Sequence, residues 1–235
     1  MLATIEQYKV KSTIHSLSPI IHPPHYQADQ RVLPLKVPLI VHLHSGGWIL
    51  GGAFGYERFV FELVERTGCA LAFPEYTLAP ERQFPAQQEQ CLEVVQWFVE
   101  HGPGIVLDTS KVVVTADSAG GQLAPAVSIL NHQCSLNLPI AHQILLHAVV
   151  NAASLTNTFS QFLFPNGPFL TTAFIEEIVK NYFPNEQARH EITASPGLMT
   201  KQQAREFMPP TTIITSQSDW LRDQGQDFCQ VAAAG

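Results

Sequence analysis

Short apolar runs alternate along this chain with segments of helical periodicity, and this alternation restricts the fold more than any other feature. Strands are predicted at residues 38–43, 70–73, 112–115, 143–146 and 211–215, and helices at 57–66, 86–99, from about 119, 171–182 and 222–234. Strands that follow one another through helices pair in parallel, and the helices then cover both faces of the sheet. The sequence therefore predicts an α/β fold built on a mostly parallel sheet.

The length and composition favour one domain over residues 1–235. The chain has 235 residues, of which 46% are hydrophobic, enough to bury one sizeable core. Residues 151–210 interrupt the alternation with a long, loop-rich stretch that holds one clear amphipathic helix, at 171–182. We expect this stretch to form a cap-like insertion over a site, within the single domain.

The charge balance and the cysteine spacing exclude several classes of function. A net charge of −7, with only 13 Lys and Arg residues and no basic run, argues against nucleic acid as a partner. No apolar run is long enough to span a bilayer and the first residues lack a signal-peptide pattern, so a cytoplasmic protein without a membrane span is expected. The four cysteines are scattered without ligand or disulfide spacing, so no metal or other cofactor is predicted.

The segment ADSAGG at residues 116–121 carries the clearest chemical signal, directly after a β-branched run. A serine between small residues at a strand-to-helix turn is typical of a nucleophile elbow, in which a strained turn exposes the hydroxyl oxygen. The turn also places Ser118 at a helix N-terminus, whose free N–H groups favour negative charge on a substrate oxygen. The short motif alone leaves open that Ser118 merely caps a helix.

A second motif, HSGGW at residues 44–48, follows the strand predicted at 38–43. Tetrahedral intermediates need two or three N–H groups aimed at one oxygen, and consecutive glycines let the backbone approach that closely. The alternative is an ordinary glycine turn, or a phosphate loop continuing to Gly51 and Gly52, although no dinucleotide-binding or P-loop pattern fits. We expect His44 to shape this loop by hydrogen bonding rather than to act as an acid or base.

With these motifs and three further segments, the chain resembles the hormone-sensitive-lipase-like carboxylesterase family of the α/β-hydrolase fold. The family's HGGGW, YRLAPE and GDSAGG motifs correspond here to HSGGW, YTLAPE at residues 76–81 and ADSAGG. Its acid-bearing segment corresponds to DWLRDQG at residues 219–225, and its cap segment to GPFLT at residues 167–171. The motifs run in the family's order from about residue 30 to the end of the chain.

The resemblance implies an ester hydrolase that acts on small-molecule substrates through an acyl-enzyme. It makes Ser118 the nucleophile and Asp219 the acid that orients an imidazole, while Asp223 is a structural residue at a helix start. The oxyanion hole is then formed by the backbone N–H groups of Gly46, Gly47 and Ala119.

The histidine of that family lies one strand beyond the acid, and this sequence has none there. Residues 220–235 contain no histidine, and the last one along the chain, His190, precedes Asp219. Loss of a triad histidine costs on the order of 10⁶ in turnover, whereas an oxyanion hole alone keeps ~10³ to 10⁴ over water. A crippled esterase is therefore expected.

The same comparison predicts that the final strand and helix of the family fold are missing, as in a truncated gene product. The strand at 211–215 would then be a bare apolar sheet edge. A non-catalytic member of the fold, a small-molecule binding or receptor-like protein, is the alternative function. The presence of both Ser118 and Asp219 favours the esterase, because a binding protein needs neither.

Overall fold

The computed structural model describes residues 36–167 and 170–232 with their side chains, and the backbone of four short strands before them. These strands are β1 (Glu6–Gln7), β2 (Val10–Lys11), β3 (Ser16–Leu17) and β4 (Ile20–His22). The strands that follow are β5 (Val37–Leu43), β6 (Ala70–Phe73), β7 (Leu107–Asp117), β8 (Ile140–Leu146) and β9 (Thr211–Ile214).

Seven of these strands form one sheet in the order β1-β4-β6-β5-β7-β8-β9. The five strands from β6 to β9 pair in parallel, and β4 and β1 extend the β6 edge in antiparallel pairing. At the other edge, β9 pairs with β8, and the described residues place no strand on its outer side. The predicted fold class, a mostly parallel α/β sheet, is confirmed.

Seven helices accompany these strands in the described parts of the chain. They are α1 (Glu57–Thr67), α2 (Ala86–His101), α3 (Gly120–Gln133), α4 (Phe159–Leu163), α5 (Thr172–Tyr182), α6 (Lys201–Phe207) and α7 (Arg222–Ala232). The five predicted helices correspond to α1, α2, α3, α5 and α7, although the predicted last residues of α7 lie outside the described residues. Gly68 ends α1 in a left-handed conformation with φ 68°, as a C-terminal glycine does.

The central strands bury both of their faces, which is why their sequences are continuous apolar runs. Along β6, Leu71 and Phe73 pack with Val60 and Val64 of α1 on one face. Their alternating neighbours, Ala70 and Ala72, belong to the larger core on the opposite face, which also includes residues of α2, α3, α5 and α7. The helices therefore cover both faces of the sheet.

Strand β7 is longer than the predicted run at 112–115, because it begins at Leu107. Its pairing with β5 shifts register between Pro38 and Leu39, so its first residues pair separately from the stretch that starts at Val112. Ser110 and Lys111 in between are exposed. This polar bulge interrupts the apolar pattern. The pattern therefore does not predict the first half of the strand.

The predicted insertion at 151–210 contains α4, α5 and α6. The apolar face of α5, with Ile175, Ile178, Val179 and Tyr182, is buried in the main core. Thr171 caps this helix by accepting a hydrogen bond from the Phe174 N–H at 3.1 Å. Of the predicted cap segment 167–171, residues 168 and 169 lie outside the described residues.

Candidate functional site

Ser118 occupies a sharp turn between the end of β7 and the start of α3. Its φ of 49° is positive, a conformation that costs free energy in a residue other than glycine. Two backbone hydrogen bonds to the neighbouring chain hold the turn: the Ser118 N–H donates to the Leu146 carbonyl at 2.9 Å, and the Val149 N–H donates to the Ser118 carbonyl at 2.9 Å. The serine is therefore held in a strained position at the carboxyl end of the sheet.

Small residues around Ser118 allow α3 to start directly against β5. A β-carbon on Gly120 would lie 1.9 Å from the Leu43 carbonyl oxygen, and one on Gly121 would lie 2.3 Å from the Ala148 β-carbon. Ala119, which lies between Ser118 and Gly120 in the sequence, is fully buried. The small residues of the ADSAGG motif thus have a steric cause in the packing of this helix N-terminus.

The glycine loop at residues 44–48 turns back on itself beside Ser118. Gly46 has φ 111° and its carbonyl accepts hydrogen bonds from the N–H groups of Ile49 and Leu50. A β-carbon on Gly46 would lie 2.0 Å from the Leu50 carbonyl oxygen, so only glycine fits there. Gly47, with φ 61°, has the Ile178 side chain where its β-carbon would be.

The structure brings the predicted oxyanion donors to the serine. Gly46, Gly47 and Ser118 line one cavity, and Ala119 follows Ser118 in the chain. Within residues 36–167 and 170–232, the N–H groups of Gly46, Gly47 and Ala119 donate no hydrogen bond. Three free donors at a helix start and a glycine turn are what a developing oxyanion requires.

A hydroxyl network under the loop joins it to the strand that carries the serine. The Tyr56 hydroxyl accepts the Ser45 N–H at 2.9 Å and lies 2.7 Å from both Ser45 Oγ and Asp117 Oδ2. Burial and the negative charge of Asp117 raise the pKa of Tyr56 to about 12, so this hydroxyl keeps its proton. Burial alone would raise the pKa of Asp117, but the His42 and Tyr56 side chains beside the carboxyl lower it.

His44 has a structural environment, in agreement with the interpretation of the sequence. Its ring stacks between Phe73 and Tyr76, with ring centroids 5.4 and 4.1 Å away, and its Nδ1 lies 2.6 Å from the Ser45 carbonyl oxygen. Burial lowers the pKa of His44, so the neutral ring donates to that carbonyl. It fixes the start of the glycine loop.

Asp219 lies at the carboxyl end of β9, on the same edge of the sheet as Ser118. Its Oδ1 accepts the Leu221 N–H at 3.0 Å, while its Oδ2 is buried and accepts no hydrogen bond from the described residues. Ser118 and Asp219 line one cavity of about 370 Å³, here named the Asp219 cavity, and no hydrogen bond between the two is found among the described residues. The acid of a catalytic triad needs a carboxylate oxygen with no other partner in the protein, and the unpaired Oδ2 of Asp219 fits that expectation.

Asp223, expected to be structural, has both carboxylate oxygens occupied. Arg222 Nε donates to Oδ1 at 2.7 Å, and the Ser160 N–H at the start of α4 donates to Oδ2 at 2.6 Å. The hydrogen bond from Arg222, together with that from Ser160, outweighs desolvation and lowers the pKa of Asp223. The residue joins α7 to α4.

A largely apolar cavity of about 200 Å³ extends from Ser118 under α5 and is named the α5 cavity. Its walls come from the glycine loop, the segment after β8, α5 and the residues after Asp219; they include Trp48, Val149, Leu155, Ile175, Ile178 and Trp220. An apolar group of a bound molecule could be buried from water against these walls, next to the serine.

Sequence reasoning did not anticipate one histidine in this region. His147 directly follows β8 and lines the Asp219 cavity together with Ser118 and Asp219. The available signal was its position at the end of a predicted strand next to the strand that carries the serine, since neighbouring parallel strands end at one edge.

Comparisons with known proteins agree with the fold. A family model described as an alpha/beta hydrolase fold matches residues 40–235. An esterase of Gibberella moniliformis is 34% identical over 194 residues, which make up 83% of this chain and 60% of that protein.

Two solved fungal structures superpose on nearly the whole chain. Carboxyl esterase 2 of Tuber melanosporum is 30% identical with a TM-score of 0.89, and the match covers 98% of this chain and 73% of that one. An esterase of Rhizomucor miehei is 30% identical with a TM-score of 0.91, covering 100% of this chain and 71% of that one.

This chain is shorter than the proteins that it resembles. It spans between 55% and 60% of the length of the curated relatives from Acanthamoeba polyphaga mimivirus, Gibberella and Fusarium pseudograminearum.

In the part of the chain that the structure describes, no helix has both the length and the apolar character to cross a bilayer.

Proposed function

Since the chain belongs to the α/β-hydrolase-fold family, with esterases among its relatives, we propose that it hydrolyses small-molecule carboxylic esters through an acyl-enzyme on Ser118. The observation that carries this proposal is the meeting of Ser118 with the glycine loop. A strained serine and two unpaired backbone N–H groups, those of Gly46 and Gly47, line one cavity. An acyl carbon within reach of the serine oxygen would have its carbonyl oxygen next to these donors.

In the proposed reaction, Ser118 Oγ attacks the ester carbonyl carbon and its proton passes to a base. The carbonyl oxygen becomes an oxyanion that accepts hydrogen bonds from Gly46, Gly47 and Ala119, whose N–H groups have no other acceptor among the described residues. Collapse of this intermediate breaks the ester C–O bond and releases the alcohol. Water then attacks the acyl-enzyme in the same way and releases the acid.

In this proposal, the carboxylate of Asp219 stabilises the positive charge that the base gains when it takes the serine proton. Its buried Oδ2 accepts no hydrogen bond from the described residues, and Asp219 and Ser118 line one cavity. Residues 220–235 contain no histidine to accept the serine proton from the family's usual position. We therefore propose that turnover by these 235 residues is slow compared with that of a complete triad. The cytoplasmic location and the absence of a nucleic-acid partner stay predictions.

Steady-state hydrolysis of p-nitrophenyl butyrate tests the proposal, because its good leaving group asks least of an acid catalyst. Four proteins are compared: the chain, the chain extended by a family-type strand, loop and histidine, and both with Ser118→Ala. We expect slow hydrolysis by the first, a large gain in the second, and loss of the gain with Ser118→Ala. A folded extended chain without Ser118-dependent hydrolysis would overturn the proposal and favour the non-catalytic binding protein.

A further inference from the structure

His147 lies beside the nucleophile at the carboxyl edge of the sheet. The register of β7 and β8 pairs Asp117 with Leu146, so the next residues of the two strands, Ser118 and His147, are neighbours. The chain around His147 is bonded on both sides, because Leu146 accepts from the Ser118 N–H and Val149 donates to the Ser118 carbonyl, each at 2.9 Å. Across the other side, the His147 N–H donates to the Ile214 carbonyl of β9 at 2.7 Å.

The order of the strands places this histidine between the two predicted catalytic side chains. Ser118 follows β7, His147 follows β8, and Asp219 follows β9 after a short loop. All three line the Asp219 cavity of about 370 Å³. Because φ at His147 is 37°, the backbone turns at this position instead of continuing along the strand direction.

The ring of His147 has no other structural role within the described residues. No hydrogen bond, ion pair or ring contact of those residues involves it, and it is only half-buried. The other described histidines near the sheet and helices are occupied: His42 by Thr115, His44 by Ser45, His101 by Trp97, His132 by Glu206 and His142 by Thr212. His190 lines neither cavity.

We propose that His147 is the base that takes the Ser118 proton in this chain, an inference that rests on the proposed ester hydrolysis. As the Ser118 Oγ–carbonyl carbon bond forms, the hydroxyl proton passes to a ring nitrogen of His147 and the carbonyl electron pair moves onto oxygen. The imidazolium then gives that proton to the leaving alkoxide as the ester C–O bond breaks. Asp219 lines the same cavity but makes no hydrogen bond to His147, so it stabilises the positive ring only through space, and turnover stays slower than with a hydrogen-bonded triad.

Phosphonylation of Ser118 by an alkyl fluorophosphonate isolates this step, since an Oγ–P bond forms, fluoride leaves, and no acyl-enzyme has to turn over. The rate is followed by intact mass for the wild-type chain, His147→Asn, His101→Asn and Ser118→Ala. Asparagine is chosen because it tolerates a positive φ at position 147. His101, exposed at the end of α2, provides the matched control.

We expect His147→Asn to slow the labelling of Ser118 by about 10² or more, and His101→Asn to leave it unchanged. His147→Gln, which also removes the ring and keeps an amide side chain, should slow the labelling to the same extent. Should His147→Asn fail to fold, His147→Gln decides, because labelling of folded His147→Gln at the wild-type rate overturns the inference.

The outcomes separate this inference from the proposed function. If His147→Asn labels at the wild-type rate while Ser118→Ala does not label, His147 is not the base and the proposed function stands. If the wild-type chain is not labelled but the chain extended by a C-terminal histidine segment is, the inference fails alone. If neither chain is labelled at Ser118, both fail.

Discussion

The Tyr56 hydroxyl lies 2.7 Å from Oδ2 of Asp117, the residue directly before Ser118, the proposed nucleophile. The same hydroxyl accepts the Ser45 N–H at 2.9 Å, one residue before Gly46. One side chain therefore joins the glycine loop to the strand that carries Ser118. This link adds to the pairing of β5 with β7, so it helps to set the distance between Ser118 and the proposed oxyanion donors.

Tyr56→Phe should lower activity more than its small change in volume would suggest. The ring contacts with His42 and Phe73, at centroid distances of 5.1 and 5.3 Å, remain, while Asp117 and the Ser45 N–H lose a partner. We expect about a tenfold loss in kcat with little change in KM, and a loss of about 1–3 kcal/mol in the free energy of unfolding. Ester hydrolysis and urea denaturation measure the two effects.

Tyr182→Phe is the matched control, since it removes a buried hydroxyl that lies near Gln88 and makes no hydrogen bond to the glycine loop or Asp117. Its kcat should stay close to that of the wild-type chain. Equal losses in both variants would show that the Tyr56 hydroxyl does not position the loop.

Gly120→Ala should destabilise the fold strongly, because the new β-carbon would lie 1.9 Å from the Leu43 carbonyl oxygen. Backbone cannot move aside as a flexible side chain does, so α3 would have to shift away from β5. We expect a loss of at least about 2 kcal/mol in the free energy of unfolding by chemical denaturation. Gly104→Ala, where nothing lies within 4 Å of the added β-carbon, should change stability little.

Local patterns were sufficient to predict most of the fold and the glycine loop. Strand β6 and the start of α2 have the predicted bounds, since continuous apolar runs and helical periodicity are local properties of the chain. The ADSAGG segment was recognisable because its small residues are dictated by contacts with β5. Each of these features is recognisable from residues that are adjacent in the sequence.

The rest depends on contacts between distant residues, which periodicity does not record. The hydrogen bond from Tyr56 to Asp117 joins residues 61 positions apart. The place of His147 depends on the register between β7 and β8, which sequence patterns leave undetermined. The first part of β7 was likewise not predicted. The polar residues Ser110 and Lys111 separate it from the apolar run at 112–115, and the register shift at this point is not visible in the sequence.

Acidification should destabilise this protein through His44. Burial lowers the pKa of the folded-state ring, so the unfolded chain binds more protons and the stability is present above the unfolded pKa of about 6.5. It is lost as the pH falls below that value towards the folded-state pKa. Asp117, whose pKa is also lowered, adds a loss only at lower pH, below its ordinary value.

Urea midpoints at about pH 7.5, 6 and 5 measure this dependence. His44→Gln keeps a donor for the Ser45 carbonyl but does not titrate, so its midpoint should depend less on pH even though it is lower overall. His101→Gln, which alters an exposed ring, should keep the wild-type dependence. An unchanged slope in His44→Gln would assign the effect to other groups.

Leu155→Trp should shift the proposed ester hydrolysis towards substrates with short acyl chains. Leu155 is half-buried on the wall of the α5 cavity, whose volume of about 200 Å³ leaves little room for a larger side chain and a long acyl group together. We expect kcat/KM for p-nitrophenyl hexanoate to fall about tenfold or more, and that for p-nitrophenyl acetate to change by less than about threefold, because a filled pocket excludes only the longer chain.

Leu163→Trp makes the same substitution at an exposed position of α4 that lines neither cavity, and should leave the ratio of the two kcat/KM values unchanged. A hexanoate-to-acetate ratio that is the same in Leu155→Trp and Leu163→Trp would show that the acyl chain does not enter the α5 cavity.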